Sequence, residues 1–101
     1  MYARLTTLEV PSDRLDEATR YNQEQILPQL WQMDGFKGAL LIGDRQSGRL
    51  RGTFLWESEE ALQDSAEAVS GIRSSLAEAI GGEIESVEEY EVSLFQLSLL
   101  P

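Results

Sequence analysis

The hydrophobic pattern of the chain switches between two periodicities. Four short segments are apolar or alternate between apolar and polar side chains, which is typical of β-strands: residues 2–10, 36–43, 49–56 and 87–94. The two longer segments between them carry apolar side chains every three to four positions and predict amphipathic helices: residues 12–34 and 58–80. The predicted order of elements is therefore βαββαβ.

The first predicted helix contains a polar residue within its apolar stripe. The stripe consists of Leu15, Ala18, Asn22, Ile26 and Leu30. Ser12 can cap the start of the helix, and Asp34-Gly35 should end it. Pro28 has no backbone N–H, so we expect it to kink or restart the helix.

The second predicted helix has clear signals at both ends. Ser58 is expected to cap its start, and Gly81-Gly82 should terminate it. A kink is expected near Gly71, because glycine weakens a helix interior. The apolar stripe consists of Leu62, Ala66, Val69, Ile72, Leu76 and Ile80.

The βαββαβ order predicts a ferredoxin-like α+β fold with both helices on one face of a four-stranded antiparallel sheet. The nearly continuous apolar run 36–43 favours a central strand covered on both faces. The other sheet face is predicted to carry Ala3, Leu5, Thr7, Leu41 and Leu55. The length of the chain predicts one domain, 1–101. Because this face is too apolar for water, we expect that domain to form a homodimer with sheet facing sheet. The apolar tail 95–101 is expected to contact the partner subunit.

Composition excludes several kinds of chemistry. The chain has 101 residues and a formal net charge of −10, and it contains neither cysteine nor histidine. A thiolate nucleophile, a cysteine-bound zinc ion and a histidine relay are therefore ruled out. Residues 57–101 contain a single basic side chain, Arg73, so we expect no nucleic-acid partner. No segment is long and apolar enough to span a membrane, which favours a cytoplasmic protein.

Two segments carry a resemblance to a known family. Residues 27–39, with the motif Gly35-Phe36-Lys37-Gly38, and residues 55–62, with Trp56-Glu57-Ser58, resemble the antibiotic biosynthesis monooxygenases. This resemblance covers residues 1 to about 95 and implies a dimeric α+β barrel. Some members of the family oxidise phenols or hydroquinones with O₂ and no cofactor, others degrade haem, and others have no known activity.

The haem-degrading activity is not expected here. The resemblance implies that haem degraders use an Asn on the first strand, a Trp in the second helix and a His further along it. This chain has Thr6 and Thr7 on the first strand, Ser65 near the Trp position, and no histidine. We therefore expect no cofactor. Glu89 and Glu91 share a strand face, but solvated edge charges explain them better than a metal site does.

The resemblance places a pocket between the helices and the sheet, where polar groups become candidates for binding a small aromatic compound. Asn22 is the first candidate, because a buried amide needs partners, although backbone or water can supply them. Arg4 could hold a phenolate, but a salt bridge to an acidic side chain is favoured.

Aromatic side chains supply the remaining candidates. Trp56 and Trp31 could form walls for a planar substrate, although core packing is favoured for Trp56. Tyr21 and Tyr90 could donate a hydrogen bond, although a tyrosine at the core boundary with a hydrated hydroxyl is common.

Three functions remain open at this point. The first is a cofactor-independent monooxygenase acting on a small hydroquinone or phenol. The second is a non-catalytic binding protein, since one fold serves many functions. The third is a structural dimer whose pocket is filled by its own side chains.

Overall fold

A computed structural model describes residues 1–98 of the chain. The order of its helices and strands agrees with the predicted order. Its elements are β1 (Tyr2–Glu9), a 3₁₀ turn (Ser12–Arg14), α1 (Leu15–Tyr21), a π-helical segment (Asn22–Ile26), α2 (Leu27–Leu30), β2 (Phe36–Gly43), β3 (Arg49–Trp56), α3 (Glu59–Ile80) and β4 (Glu83–Glu91). The four strands form one antiparallel sheet in the order β2-β3-β1-β4. The ferredoxin-like α+β fold is confirmed.

The first helical segment is continuous from α1 to α2 but changes its hydrogen bonding midway. Pro28 cannot donate a backbone hydrogen bond, and the preceding turn is a π-helix in which the N–H of Leu27 donates to the carbonyl of Asn22. The wider turn accommodates the proline without a break. Ser12 does not cap the helix as predicted, because it lies in the 3₁₀ turn and no side chain caps the start of α1.

The turn before β2 requires glycine. Gly35 has φ 82°, and a Cβ placed on it would lie 2.5 Å from the Cβ of Ala61 in α3. Its carbonyl accepts a hydrogen bond from the N–H of Glu57 at 2.7 Å. The turn therefore brings the start of β2 against the start of α3, too close for a side chain at position 35.

The predicted central position of β2 was wrong, because β2 is an edge strand. A bulge between Phe36 and Gly38 adds one residue to β2, and one extra residue moves every later side chain to the opposite sheet face. Leu41 therefore lies on the helix-covered face, opposite Gly52, and not on the open face as predicted. Leu40 and Ile42 take its place on the open face and are exposed.

The second helix matches its predicted ends. The Ser58 hydroxyl accepts a hydrogen bond from the N–H of Ala61 at 3.1 Å, and Gly81 ends the helix with φ 73°. At Gly71, where the sequence predicted a kink, α3 continues unbroken from Glu59 to Ile80, and a Cβ placed on Gly71 would meet no atom within 4 Å.

The last strand begins earlier than predicted. It spans Glu83–Glu91, whereas the pattern placed it at 87–94, because the chain enters the sheet directly after the two glycines. Val92 and Leu94 therefore follow the strand and do not share a strand face with Tyr90. Of the tail 95–101, residues 95–98 are exposed, and residues 99–101 lie outside the described residues.

The hydrophobic core fills the space between the sheet and the helices. Trp56, Leu30, Leu62 and Ile80 are fully buried there. Phe36 packs edge-on against Trp56, with ring centroids 5.2 Å apart. Within residues 1–98, no helix is both long and apolar enough to cross a membrane.

Candidate functional site

An apolar cavity lies between the sheet and the helices that cover it. Its volume is about 30 Å³. The sheet contributes one wall, and the first helical segment and α3 contribute the other. The lining residues are Thr6, Leu8, Leu41, Leu50, Gly52 and Phe54 from the sheet, Asn22, Ile26 and Leu30 from the first helical segment, and Val69, Ile72, Arg73 and Leu76 from α3.

Asn22 lies in this wall, at the start of the π-helical segment. It is 6% exposed, and its Nδ2 donates a hydrogen bond to the carbonyl of Ala18 at 2.9 Å. Within residues 1–98, no group donates a hydrogen bond to its Oδ1. The amide nitrogen is thus bonded to the helix backbone, and the amide oxygen is left to accept a hydrogen bond from another group.

Arg73 is the one charged side chain in the wall. Its Nη1 is buried and has no hydrogen-bond partner among the described residues. Burial lowers the pKa of the Arg73 guanidinium from its ordinary value, the nearby Arg4 guanidinium lowers it further, and the Glu89 carboxylate opposes both effects. The cavity is therefore bordered by a cation that is only partly compensated.

Arg4 lies beside this cation on β1 and is almost completely buried. Its Nε donates to Glu89 at 3.1 Å, its Nη1 donates to the Ser65 hydroxyl at 3.1 Å, and its Nη2 donates to the Leu62 carbonyl at 2.8 Å. Arg4 thus engages the Glu89 carboxylate, in the salt bridge that the sequence favoured. Arg4 is not part of the cavity wall.

The predicted aromatic residues lie elsewhere. Trp56 is fully buried in the core and does not line the cavity, while Trp31 is 58% exposed and packs edge-on against Phe36. Tyr90 is exposed on β4 and donates a hydrogen bond to Glu88, which raises the pKa of Tyr90. Of the six predicted site residues, only Asn22 reaches the cavity.

Tyr21 borders a neighbouring surface groove between the first helical segment and α3. The groove also contains Gln29, Ala68, Gly71 and Ser75. Two side chains, Ile26 and Ile72, line both the groove and the cavity. They form the partition between the cavity and this outer groove.

Arg73 was missed as a site residue, although the sequence contained a signal for it. It is the only base after residue 56, and it follows Val69 by four positions, which places both on one side of a helix. A cation at the edge of an apolar stripe in an otherwise acidic segment is unusual enough to mark a candidate site.

No family model matches the chain. Among curated proteins, it is 41% identical over 93 residues to the uncharacterized protein Rv2557 of Mycobacterium tuberculosis, and 37% identical over 94 residues to the uncharacterized protein Rv2558 of the same organism. These matches cover 92% and 93% of this chain. The chain spans about 40% of the length of these relatives, 41% and 39% respectively.

Solved structures establish the fold. A Deinococcus radiodurans protein assigned as an antibiotic biosynthesis monooxygenase superposes over 100% of both chains with a TM-score of 0.67 and 17% identity. The monooxygenase ActVA-Orf6 of Streptomyces coelicolor, in complex with Nanaomycin D, covers 99% of this chain and 91% of its own, with a TM-score of 0.69 and 14% identity. This chain has the antibiotic biosynthesis monooxygenase fold.

Other proteins with the antibiotic biosynthesis monooxygenase fold differ in what they do. The haem degrader MhuD of Mycobacterium tuberculosis matches over 95% of this chain and 99% of its own, with a TM-score of 0.66 and 22% identity. A dimeric ferredoxin-like protein from an uncultured marine organism matches with a TM-score of 0.68 and 13% identity, over 97% and 100% of the two chains. At such identities the likeness establishes the fold, and the fold alone does not fix the activity.

Proposed function

We propose that the chain is a cofactor-independent monooxygenase-like protein that acts on a small hydroquinone or phenol. The observation that carries the proposal is the apolar cavity with one cation, Arg73, and one free amide acceptor, Asn22, in its wall. The likeness to ActVA-Orf6, a monooxygenase, supports the same reaction class.

The reaction needs few catalytic groups from the protein, because the substrate itself supplies the electrons that reduce O₂. In the oxidation of an anthrone, O₂ replaces the two hydrogens of the ring methylene with one oxygen, and the second oxygen leaves with both hydrogens as water. The substrate must first lose a proton, and a nearby positive charge favours its anion. An apolar wall excludes water from reactive intermediates. In this proposal Arg73 stabilises the anion and Asn22 orients the substrate through a hydrogen bond.

Oxygen uptake by the purified chain tests this function. The substrates are a panel of hydroquinones and anthrones, with catalase present and heat-denatured protein as the blank. We expect uptake that saturates with substrate and that Asn22→Ala reduces by roughly tenfold or more. Gln23→Ala, the exposed neighbour, is the matched control and should retain full activity. Uptake no greater than the blank across the panel would contradict the proposed function.

The size of the cavity favours a second candidate function. A cavity of about 30 Å³ is far smaller than the ~150 Å³ that holds benzene in an engineered protein. If the chain is a monooxygenase, its substrate must displace the partition formed by Ile26 and Ile72. If the chain is a non-catalytic binding or structural protein, the space stays filled by the protein's own side chains. Ile72→Ala separates these cases: it should increase uptake if the partition restricts an active site, and leave it at the blank if the protein is non-catalytic.

We further propose that residues 1–101 form one domain that pairs with a second copy through the open face of the sheet. Leu40 and Ile42 are exposed there, at 61% and 55%, and Leu5 and Leu55 on the same face are only half-buried. A contiguous apolar patch of this kind typically marks an interface. A dimeric protein among the structural neighbours supports the same assembly.

A further inference from the structure

We infer that the open face of the sheet recognises a second copy of the chain through two equivalent ion pairs, each joining Arg51 of one copy to Glu88 of the partner subunit. The inference rests on the pairing proposed above. It adds the direction in which the two sheets cover each other and the side chains that select the partner. It does not depend on the oxygenase reaction.

Charges of opposite sign lie on opposite halves of the open face. The strand register places Arg49 and Arg51 of β3 on this face, and Ile42 of β2 lies directly beside Arg51. The half formed by β2 and β3 therefore combines apolar and basic side chains. The half formed by β1 and β4 carries the carboxylates of Glu9, Glu83, Glu85 and Glu88.

Only part of this charge is neutralised within one copy. The Arg49 Nε lies 3.3 Å from the Glu85 Oε2 in a salt bridge. Among residues 1–98, neither Arg51 nor Glu88 forms a salt bridge, and both are exposed. Glu88 accepts a hydrogen bond from Tyr90, but a carboxylate has lone pairs for further donors. Each copy therefore offers one cation and one carboxylate that a second copy can pair.

The direction of the two-fold axis decides which charges meet. Because the strand order is β2-β3-β1-β4, an axis parallel to the strands lays β3 of one copy over β1 of the partner, and β2 over β4. The basic half of each copy then covers the acidic half of the other. An axis across the strands would lay each strand over its own counterpart, so that arginines face arginines and carboxylates face carboxylates. Electrostatic complementarity favours the first arrangement.

The dimensions of packed sheets bring Arg51 within reach of Glu88 of the partner subunit in this arrangement. Arg51 is level with Thr7 of β1, and Glu88 is level with Leu5, two residues away. With ~4.8 Å between strands, ~3.4 Å per residue and ~10 Å between sheets, the two Cα atoms lie about 13 Å apart. An extended arginine and an extended glutamate can span this distance. Two-fold symmetry repeats the contact, so one dimer contains two such pairs.

Charge reversal tests the inference, with sedimentation at one fixed salt concentration as the measurement. Arg51→Glu and Glu88→Lys should each weaken the dimer by roughly tenfold or more, because like charges then meet at both contacts. An equimolar mixture of the two variants should recover the dimer, because a mixed pair has opposite charges at both contacts. This recovery also shows that both variants are folded.

Arg20→Glu on α1 and Glu67→Lys on α3 are the matched controls, because they make the same charge changes at exposed positions on the helical side. Each control should follow the net charge alone. Glu67→Lys reduces the negative charge of the chain and should tighten the dimer slightly, whereas Glu88→Lys, with the same net charge, should weaken it.

Three outcomes contradict the inference. A wild-type dimer that Glu88→Lys tightens as much as Glu67→Lys does would overturn it and leave the proposed pairing intact. A mixture of Arg51→Glu and Glu88→Lys that stays monomeric would do the same. A wild-type chain that is monomeric at every concentration would contradict the pairing and this inference together, and oxygen uptake is measured independently of all three.

Discussion

At the scale of single residues, Arg4 shows how a buried charge is stabilised. Its guanidinium has three partners, of which Glu89 is 38% exposed at the side chain and the other two are buried. Replacing Arg4 with Met removes these bonds and leaves Glu89 and Ser65 without their donor. Because Glu89 can be rehydrated, we expect a loss of about 2–3 kcal/mol in the free energy of unfolding, at or below the low end for broken buried pairs.

Urea denaturation measures this loss. Arg45→Met is the control, because it breaks a salt bridge to Asp16 in which both side chains are more than 70% exposed, at 72% and 73%. Exposed pairs of this kind contribute little, so we expect no measurable change. Equal midpoints for Arg4→Met and wild type would show that the buried network does not stabilise the fold.

Trp56 packs in the core, whereas the sequence had also offered it as a wall for a planar substrate. It is fully buried, and its Nε1 has no hydrogen-bond partner within residues 1–98. Trp56→Phe loses apolar contacts but also removes an unsatisfied donor, so we expect a net loss of about 1–2 kcal/mol, less than for a truncation to Ala. Urea denaturation measures the loss, and Trp56 does not line the cavity, so we expect no separate effect on the candidate site.

Fluorescence provides an independent check on Trp56, since Trp31 is the only other tryptophan. Trp56→Phe leaves the exposed Trp31, so emission should resemble that of hydrated tryptophan. Trp31→Phe is the control and should leave the blue-shifted emission of a buried indole. A red-shifted spectrum for Trp31→Phe would contradict the burial of Trp56.

The candidate site was predictable from the sequence only in part. Asn22 was identified because an amide within an apolar helical stripe is conspicuous in a one-dimensional pattern. Arg73 stands out in the sequence as the only base after residue 56, but it was not identified, because its significance also depends on Arg4 and Glu89, which come from distant parts of the chain. The spacing of residues along the sequence describes one element at a time. This site depends on the charges of side chains from three elements, β1, α3 and β4.

At the scale of elements, the π-helical segment is the feature that places Asn22. A π-turn contains one more residue per hydrogen-bonded ring than an α-turn. Deleting the exposed Gln25 should therefore convert the segment into a regular α-helix and keep the flanking helices in register. We expect circular dichroism to retain the native helix content and urea denaturation to show a cooperative transition.

The matched control for this deletion is in α3, which has no π-turn. Deleting the exposed Gln63 rotates the remainder of α3 by about 100° and moves its apolar stripe off the sheet. We expect this variant to lose its cooperative transition. If both deletions unfold the chain to the same extent, the π-turn does not contain the extra residue.

The strands show why pattern alone misplaced two features of the sheet. The order and ends of β2 and β3 followed from apolar runs and turn residues, and these were confirmed. The bulge at Phe36–Gly38 cannot be recognised in a hydrophobic pattern. It nevertheless moves the side chains of Leu40, Leu41 and Ile42 to the sheet face opposite the one that regular alternation from Phe36 would give them. The apolar run of β2 was read as burial in the sheet centre, whereas its open-face side chains are exposed on an edge strand.

At the scale of the whole molecule, one layer of helices covers only one side of the sheet. The open side carries Leu40 and Ile42 without any cover from the described chain. The helices and the sheet already form two layers, so the uncovered apolar face leaves room for a further layer. That layer can be the sheet of another copy of the chain, which is the assembly we propose.

Charge makes this assembly sensitive to salt, and that sensitivity is the last prediction. Each copy has a net charge of −10, so two copies repel each other at long range while their apolar faces attract. Sedimentation at micromolar concentration should show a dimer that tightens as salt screens the repulsion. Ile42→Lys should produce a monomer, because a charge buried in an apolar interface is costly. Ser74→Lys, the same charge change on the exposed surface of α3, should remain dimeric. A wild-type chain that sediments as a monomer at every salt concentration would contradict pairing through the sheet face.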